Sequence, residues 1–580
     1  MTPEPLSKRH VLTVALEDYF QVGAFNSVIQ RGQWYRFETR LAKNVERTLD
    51  LLDRHKIKAT FFVLGWIADR FPELVRMVAE RGHEIASKGY YHRGIRQMTP
   101  AEFKEDCLRS REALESASAQ RVVGYRVAHE WFRESDLWAL DALAELGFEY
   151  DSSIAPIGRT FAKEPFRREL HEHRAGERVI RELPISTSRI LGMQVPIAGG
   201  NYFRQLPAFL IRRAVANWDQ KVAAPLVVYF HVWELDPEQP KITAGGWLTR
   251  MRHYRNLHKM EGYLEYFFQR YSFTTAADYL GLSLTPRTDA APRLTPRLWQ
   301  PGVVESAPES ATKTPVSIVI PCYNEELILP YLANTLASVE KQLANQYEPT
   351  FILVDDGSKD ATWEGMKKTF GGKPGFELIQ HNANHGVAAA ILTGLRHART
   401  EIVCSMDCDC TYDPHELANM IPLLEPGVDL VTASPYHPKG QVRNVPGWRL
   451  KLSKSASWLY RRVLRQKLFT YTSCFRVYRR RAITDLTITQ NGYLGIAEML
   501  GRLDLQGSKV VEFPATLEVR MLGRSKMKTV RTIIGHLKLM TRLFGVRVRR
   551  WWAGTPDVAA ETKSITPPDE SHLPRQAGSF

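Results

Sequence analysis

Three short apolar runs in the second half of the chain each end on polar and acidic residues, and they constrain its fold more than any other feature. SIVIPCYNEE delivers Asn324 and Glu325, FILVDD delivers Asp355 and Asp356, and EIVCSMDCD delivers Asp407 and Asp409. Between and beside them lie longer stretches of helical pattern, EELILPYLANTLASVEKQL, KDATWEGMKKTF and GVAAAILTGLRHA. Strand-length runs alternating with helix-length segments specify an α/β fold with a parallel sheet. In such sheets the residues just past the strand ends line the crevice where nucleotides bind. A single acid there could merely cap the next helix. Three acid clusters brought to one crevice repel one another unless a cation lies among them. Asp-x-Asp suits a hard divalent ion that completes its shell with a ligand's phosphate oxygens.

The first half keeps the same rhythm: HVLTVAL, NVERTLDLLDRH, KATFFVLG, PELVRMVAERG, RVVGYR, SDLWALDALAELG and APLVVYFHV. It predicts a second α/β unit over residues 9–282, either a barrel or an open sheet. Residues 283–314 are rich in Pro, Ala, Ser and Thr and read as an extended linker. Residues 315–528 form the next unit, 529–552 a basic amphipathic helix, and 553–580 a disordered tail. A chain of 580 residues exceeds what one hydrophobic core organises, so more than one domain is expected.

A formal charge of +15 calls for an anionic partner. Residues 443–481 hold twelve Lys/Arg and residues 520–550 hold ten, with no Asp or Glu in either stretch. No nucleic-acid recognition module accompanies them, which leaves phosphorylated substrates or a membrane surface. TVRTIIGHLKLMTRLFGVRVRRWW, residues 529–552, mixes Ile, Leu and Phe with Arg and Lys, the pattern of a helix lying on anionic lipid. The alternative is a helix packed on the domain with a basic outer face. The six cysteines form no paired framework and point to free thiols in a reducing compartment. The N-terminus lacks the apolar core of a signal peptide, and no run of about 18 apolar residues occurs. A cytoplasmic protein, peripheral on the inner face of the cell membrane, is expected.

PCYNEE, VDDGSKDAT, HNANHGVAAAILTGLRHA and MDCDCTYDP together resemble family 2 glycosyltransferases of the GT-A, Rossmann-like fold. Within that family they are most similar to dolichol- or polyprenol-phosphate sugar transferases. The resemblance implies that Pro321, Tyr323, Glu325, Asp355, Asp356 and Arg520 bind a UDP- or GDP-linked sugar. Asp407 and Asp409 would hold Mg²⁺ or Mn²⁺. Arg476, in TSCFRVYRR, and Lys526, in GRSKMK with Arg524 and Ser525, would join them as catalytic residues gripping diphosphate or lipid phosphate. Cys474 stands where the relatives carry Gly, and Thr411 and Tyr412 fill positions where a Gln is usual. The reaction implied is an inverting displacement on a polyprenyl phosphate, an acceptor already ionised and in no need of a strong base. The QxxRW motif and membrane spans of processive synthases are absent from the sequence, which favours a single transfer.

LEDYFQV, KATFFVLGWIADRFPELV, RGHEIASKGYYH, YDSSIAPI, IAGGNYFR and YFHVWELDPEQP resemble NodB-type polysaccharide deacetylases, a (β/α) barrel. The active-site motifs are degenerate. Ala15 stands where an Asp is usual ahead of Glu17 and Asp18, and Lys88 where the first metal-binding His belongs, while His92, Arg126 and His231 persist. An ammonium repels a metal ion, and alanine abstracts no proton. Zn²⁺ and deacetylation are therefore not expected, and Lys88 is read as filling the metal's place beside Glu17 or Asp18. His129, after the altered Val127-Ala128, reads as an incidental surface residue. Two other readings stay open: a bifunctional enzyme with an altered ligand set, and a non-catalytic scaffold that binds glycan or lipid.

Overall fold

The computed structural model describes residues 8–190, 192–285, 313–523 and 529–552. Arg524, Ser525 and Lys526, most of the expected linker and the expected tail lie outside the described residues.

The first half builds one sheet from β1 (Arg9–Leu16), β2 (Thr60–Val63), β3 (Glu84–Ser87), β4 (Gly124–Tyr125), β5 (Tyr150–Asp151), β6 (His171–Ala175) and β7 (Arg178–Glu182). After the separate hairpin of β8 (Thr187–Ile190) and β9 (Met193–Pro196) come β10 (Val227–His231) and β11 (Ser272–Thr274). The order is β10-β1-β2-β3-β4-β5-β7-β6, parallel except for the final β7–β6 pair, with β11 also on β1. β1 is buried along nearly its whole length, because helices cover one face and the barrel interior the other. The ladder does not close by regular pairing between β7 and β10. Single hydrogen bonds cross that seam: Ile197 N–H to Ser186 O at 3.1 Å and Tyr229 N–H to Ala198 O at 2.8 Å. The expected choice between barrel and open sheet thus resolves to a barrel with one irregular seam.

The second half builds a seven-stranded sheet from β12 (Thr314–Cys322), β13 (Tyr347–Asp355), β14 (Phe376–Gln380), β15 (Ile402–Ser405), β16 (Leu430–Ser434), β18 (Arg476–Arg479) and β19 (Val510–Pro514). Its order is β14-β13-β12-β15-β18-β16-β19, with only β18 antiparallel to its neighbours. Two short strands, β17 (Gln441–Val442) and β20 (Thr516–Leu517), pair apart from it. The order reverses at β12, so the loops after β12, β13 and β15 meet over one crevice.

The two halves do not stand apart on a linker, as their composition suggests. A single buried cluster runs from Leu12, Phe37 and Ile242 in the first half to Tyr331, Met521 and Leu522 in the second. Phe37 meets Tyr331 edge-on at 5.1 Å, and buried Arg36 pairs with Asp413 at 2.7 Å. The Thr529–Trp552 helix docks through Leu539, Met540 and Leu543. It leaves Ile534, Leu537, Phe544 and Trp552 exposed, beside exposed Trp448 and Trp458 of the Gly447–Val463 helix. Among the described residues no helix is long and apolar enough to cross a membrane.

Candidate functional site

Parallel register places Cys322 at the end of β12 opposite Asp355 at the end of β13. The loops beyond are laced together. Asn324 N–H donates to Ser358 Oγ at 2.8 Å, Lys359 N–H to Asn324 Oδ1 at 2.6 Å, and Glu325 N–H to Thr362 Oγ1 at 2.6 Å. Asn324 takes a left-handed φ of 50°, and Cys410, just past the third acid cluster, one of 52°. Non-glycine residues hold that conformation only where their surroundings impose it, and such residues gather at functional sites.

Arg520 enters this crevice from the far end of the sequence. Its guanidinium pairs with Glu325, lies 3.6 Å from Asp409 Oδ2, and is steadied by an Nε–H bond to Leu522 O at 2.7 Å. Asp407 shares the same field. Burial, then Asp409 and Glu325, push its carboxyl up to about 7, against the opposing pull of the Cys474 thiol and Arg520. Among the described residues three carboxylates, Glu325, Asp407 and Asp409, lie around the Arg520 guanidinium. That donor set fits a divalent cation held by Asp407 and Asp409 with the rest of its shell from a ligand's phosphates. Among the described residues no group of three or more His, Cys, Asp or Glu could hold a metal by itself.

Pro321 and Tyr323 flank Cys322 at this crevice and are both partly exposed. Three other expected residues are placed differently. Asp355 is fully buried, its two oxygens accepting from Ser358 N–H and Gln380 Nε2, each at 3.3 Å. Asp356 is corrected outright. Its carboxylate takes His381 Nδ1 at 2.9 Å, Asn384 Nδ2 at 2.8 Å, and the backbone N–H groups of His385 at 2.9 Å and Gly386 at 2.7 Å. It anchors the start of the Val387–His397 helix. Arg476 is placed differently too: it is fully buried in β18 and donates to the carbonyls of Ile496 at 3.0 Å and Tyr471 at 2.9 Å. The guanidinium there bridges the carbonyl of Tyr471, before β18, and that of Ile496, in the first turn of the Tyr493–Gln506 helix.

Two residues near the acids escape sequence reasoning about roles. The Cys474 thiol lies beside Asp407 and favours its charged form. Tyr493, half exposed at the start of the Tyr493–Gln506 helix, has its phenol pushed up by burial and by Asp407 and Asp409. The Cys-for-Gly departure was a visible signal for the first; Tyr493 had none.

In the first half the degenerate residues also converge. Glu17, 1% exposed, pairs with the Lys88 ammonium, with His92 Nε2 at 3.2 Å and with His231 Nε2 at 3.4 Å. Lys88 Nζ also donates to Ala128 O at 3.0 Å. Burial works against both charges, yet Lys88, His92 and His231 hold the Glu17 carboxyl well below the usual carboxylate range. Asp18 is not Lys88's partner. It accepts from Thr39 Oγ1 at 2.8 Å and Arg40 N–H at 2.9 Å, and burial raises it to about 6. Ala15 sits opposite His231 in the β1–β10 register. His231 is oriented by Glu234, 3.1 Å from Nδ1, which buried Arg204 holds at 2.7 Å. Arg126 spans to Thr13 Oγ1 and Ser152 Oγ, both at 2.8 Å. His129 is no incidental surface residue, for it stacks on His92 at 5.6 Å. The residues do not fit zinc: the ammonium occupies the acid a metal would need.

The chain matches the family models "Polysaccharide deacetylase" over residues 32–150, "Domain of unknown function (DUF3473)" over 152–281 and "Glycosyl transferase family 2" over 317–487. It is 32% identical over 218 residues to the polyprenol monophosphomannose synthase of Mycolicibacterium smegmatis, covering 36% of this chain and 80% of that one. It is 30% identical over 230 residues to the dolichol-phosphate mannosyltransferase of Pyrococcus furiosus, covering 39% of this chain and 63% of that one, a little under two thirds of its length. A solved putative polysaccharide deacetylase from Mycobacterium smegmatis aligns with 51% of this chain and 99% of its own, at 21% identity and a TM-score of 0.33, a likeness that decides nothing about chemistry. With four fifths of a relative spanned at that identity, the chain belongs to glycosyl transferase family 2 and carries a polysaccharide deacetylase domain ahead of its transferase domain.

Proposed function

We propose that residues 315–528 transfer a sugar, with inversion, from a UDP- or GDP-sugar to a polyprenyl-phosphate acceptor in envelope or exopolysaccharide synthesis. The carrying observation is the set of three carboxylates, Glu325, Asp407 and Asp409, gathered around Arg520 at the strand ends. Asp407 and Asp409 would hold Mg²⁺ or Mn²⁺, which when bound supplies Lewis-acid neutralisation of the departing diphosphate. Glu325 and Arg520 orient the donor, with Pro321, Tyr323 and Asp355 at the nucleotide end of the crevice; Asp355 reaches a ribose only by releasing Gln380. Arg520 then turns from its carboxylate partners toward phosphate, for which a guanidinium fork is suited. The acceptor is an anion at neutral pH, so no residue needs to remove its proton.

The membrane is the proposed second partner. The exposed Ile534, Leu537, Phe544 and Trp552, together with Trp448 and Trp458, lie on two adjoining helices whose charged residues are all basic. Such a face suits an anionic bilayer surface on the cytoplasmic side. The first half is proposed to have lost deacetylation, since Ala15 supplies no base and Lys88 neutralises Glu17 internally.

The test is a donor screen with polyprenyl phosphate and Mn²⁺ or Mg²⁺, with Asp409→Ala alongside and acetate release followed in parallel. Lipid-linked sugar that depends on Asp409, without acetate, is the expected result. No Asp409-dependent lipid product from any sugar nucleotide would sink the transferase reading; stoichiometric acetate would sink the claim about the first half.

A further inference from the structure

We propose that the deacetylase-type half is a positioning element of the transferase site, acting through Thr243 on Arg520 and through Arg36 on the loop after Asp409. The proposal rests on the transferase reading given above. Arg520 is the cation that meets the site's carboxylates among the described residues, and its Nε–H bond to Leu522 O ties the guanidinium to the path of residues 520–522. That path is set from the other half of the molecule. Ile242 and Leu522 form an antiparallel bridge, and Thr243 donates to Met521 O from its N–H at 2.8 Å and its hydroxyl at 3.2 Å.

The contact is dry. Ile242 is 1% exposed, and Met521 and Leu522 are 4% exposed. Residues 240–242 are held in turn by Tyr254, whose oxygen accepts the Ile242 N–H at 2.7 Å and whose hydroxyl donates to Pro240 O at 3.4 Å. Backbone hydrogen bonds inside an apolar contact have a fixed register and lose much when broken.

A second grip falls on the acid loop. Arg36 pairs with Asp413 at 2.7 Å, and Tyr35 OH lies 3.3 Å from His415 Nε2. Gln33 Nε2 donates to Glu518 Oε2 at 2.6 Å, while Glu518 N–H donates to Thr411 O at 2.9 Å. The segment that carries Arg520 and the loop that follows Asp407 and Asp409 are therefore bonded to each other, and each is bonded to the first half. A domain without deacetylase chemistry thus holds cation and carboxylates at one spacing.

Mere glue and positioning differ in sign. Releasing Arg520 from Asp409 and Glu325 leaves the carboxylates more negative, so a metal ion binds more tightly while a nucleoside diphosphate binds more weakly. General loosening weakens both. The experiment uses the full chain carrying Thr243→Pro, which removes both donors to Met521, and separately Arg36→Met. Mn²⁺ affinity is read from the spectrum of free Mn²⁺, and UDP and GDP affinity by calorimetry with Mn²⁺ present. In Thr243→Pro the Mn²⁺ Kd is expected to fall about threefold to tenfold and the diphosphate Kd to rise about tenfold, as for gain or loss of one partly exposed charge contact. Arg520→Ala reproduces both shifts, and adding Thr243→Pro to it changes neither further.

Unchanged affinities, weakening of both ligands together, or an undiminished Thr243→Pro effect in the Arg520→Ala background each overturn the proposal. If Thr243→Pro does not fold, Thr243→Val and Arg36→Met carry the same opposed shifts at smaller size, with Arg36→Lys restoring most of the second. Wild-type protein that binds Mn²⁺ but neither diphosphate overturns the functional reading, and the Mn²⁺ arm then decides this inference alone.

Discussion

Beyond the end of β1, Glu17 is surrounded by an ammonium and two imidazoles; beyond the ends of β12 and β15, Glu325, Asp407 and Asp409 share one guanidinium. Both clusters bring charge to strand ends of an α/β unit. In the first, the counter-charge is covalently part of the chain, so the cluster is complete without any ion. In the second, among the described residues, Arg520 meets Glu325 and Asp409, and Asp407 lies in the same field. An acid cluster at a strand end therefore says little about metal chemistry until its bases are counted. One lysine at position 88 is enough to reverse the conclusion.

The sharpest way to break this contrast is at Asp409. Asp409→Ala is expected to lower sugar transfer on the order of 10³-fold, measured as product formed per enzyme with Mn²⁺ saturating. Activity within tenfold of wild type would make the second cluster as self-sufficient as the first. Next is Lys88→Met, which strands the Glu17 carboxylate and should cost about 3–5 kcal/mol in denaturant unfolding. Glu17→Gln combined with it should recover much of that loss, because a neutral pair replaces an uncompensated charge. If Lys88→Met instead unfolds like wild type, Glu17 is not charged in the folded protein.

Titration should separate Glu234 from Asp407 by the sign of their slopes. Burial works against Glu234, but Arg204 and His231 depress it from 4.5 to about 2. Its contribution is complete above 4.5 and is lost as pH falls toward about 2. Asp407 is raised from 3.8 to about 7, so the folded protein keeps that proton longer than the unfolded chain. The contribution of Asp407 to metal-free stability therefore declines as pH rises from 3.8 to about 7 and levels off above, and saturating Mn²⁺ should abolish that decline. Mn²⁺ affinity should fall about tenfold per pH unit below that value, for one proton displaced. A pH-independent Mn²⁺ affinity from pH 5 to pH 8 would remove Asp407 from the ligand set. The smallest effect concerns the membrane face. Phe544→Ser should weaken binding to anionic vesicles roughly tenfold in co-sedimentation, the loss of one apolar side chain from the interface.

Much of this was legible in the chain. The strand–helix alternation, the acids at the ends of β12, β13 and β15, and the substitutions at Ala15 and Lys88 are local signals, carried by residues within a few positions of one another. They specify which side chains stand at strand ends, because a strand alternates its faces and ends at its turn residues. The roles of individual acids were less legible. Asp355 and Asp356 are adjacent, yet one is buried against Ser358 and Gln380 and the other anchors a helix; which does which depends on where the donors of residues 381–386 fall.

What tertiary structure alone decided involves partners far apart in sequence. Arg476 and Arg520 look equally suited to phosphate, but β18 runs into the core and buries the first, while the strand pairing with Ile242 delivers the second to Glu325. No local pattern marks Arg36 as the partner of Asp413 or Thr243 as that of Met521. Such pairs form only when sheet order and the docking of the two halves close very long loops, and composition or periodicity within a short window carries no trace of them. The sequence alone determined two α/β units, one with acids clustered at its strand ends and one with a lysine among its acids. The packing of one unit against the other decided which arginine meets the acids and which residues hold it there.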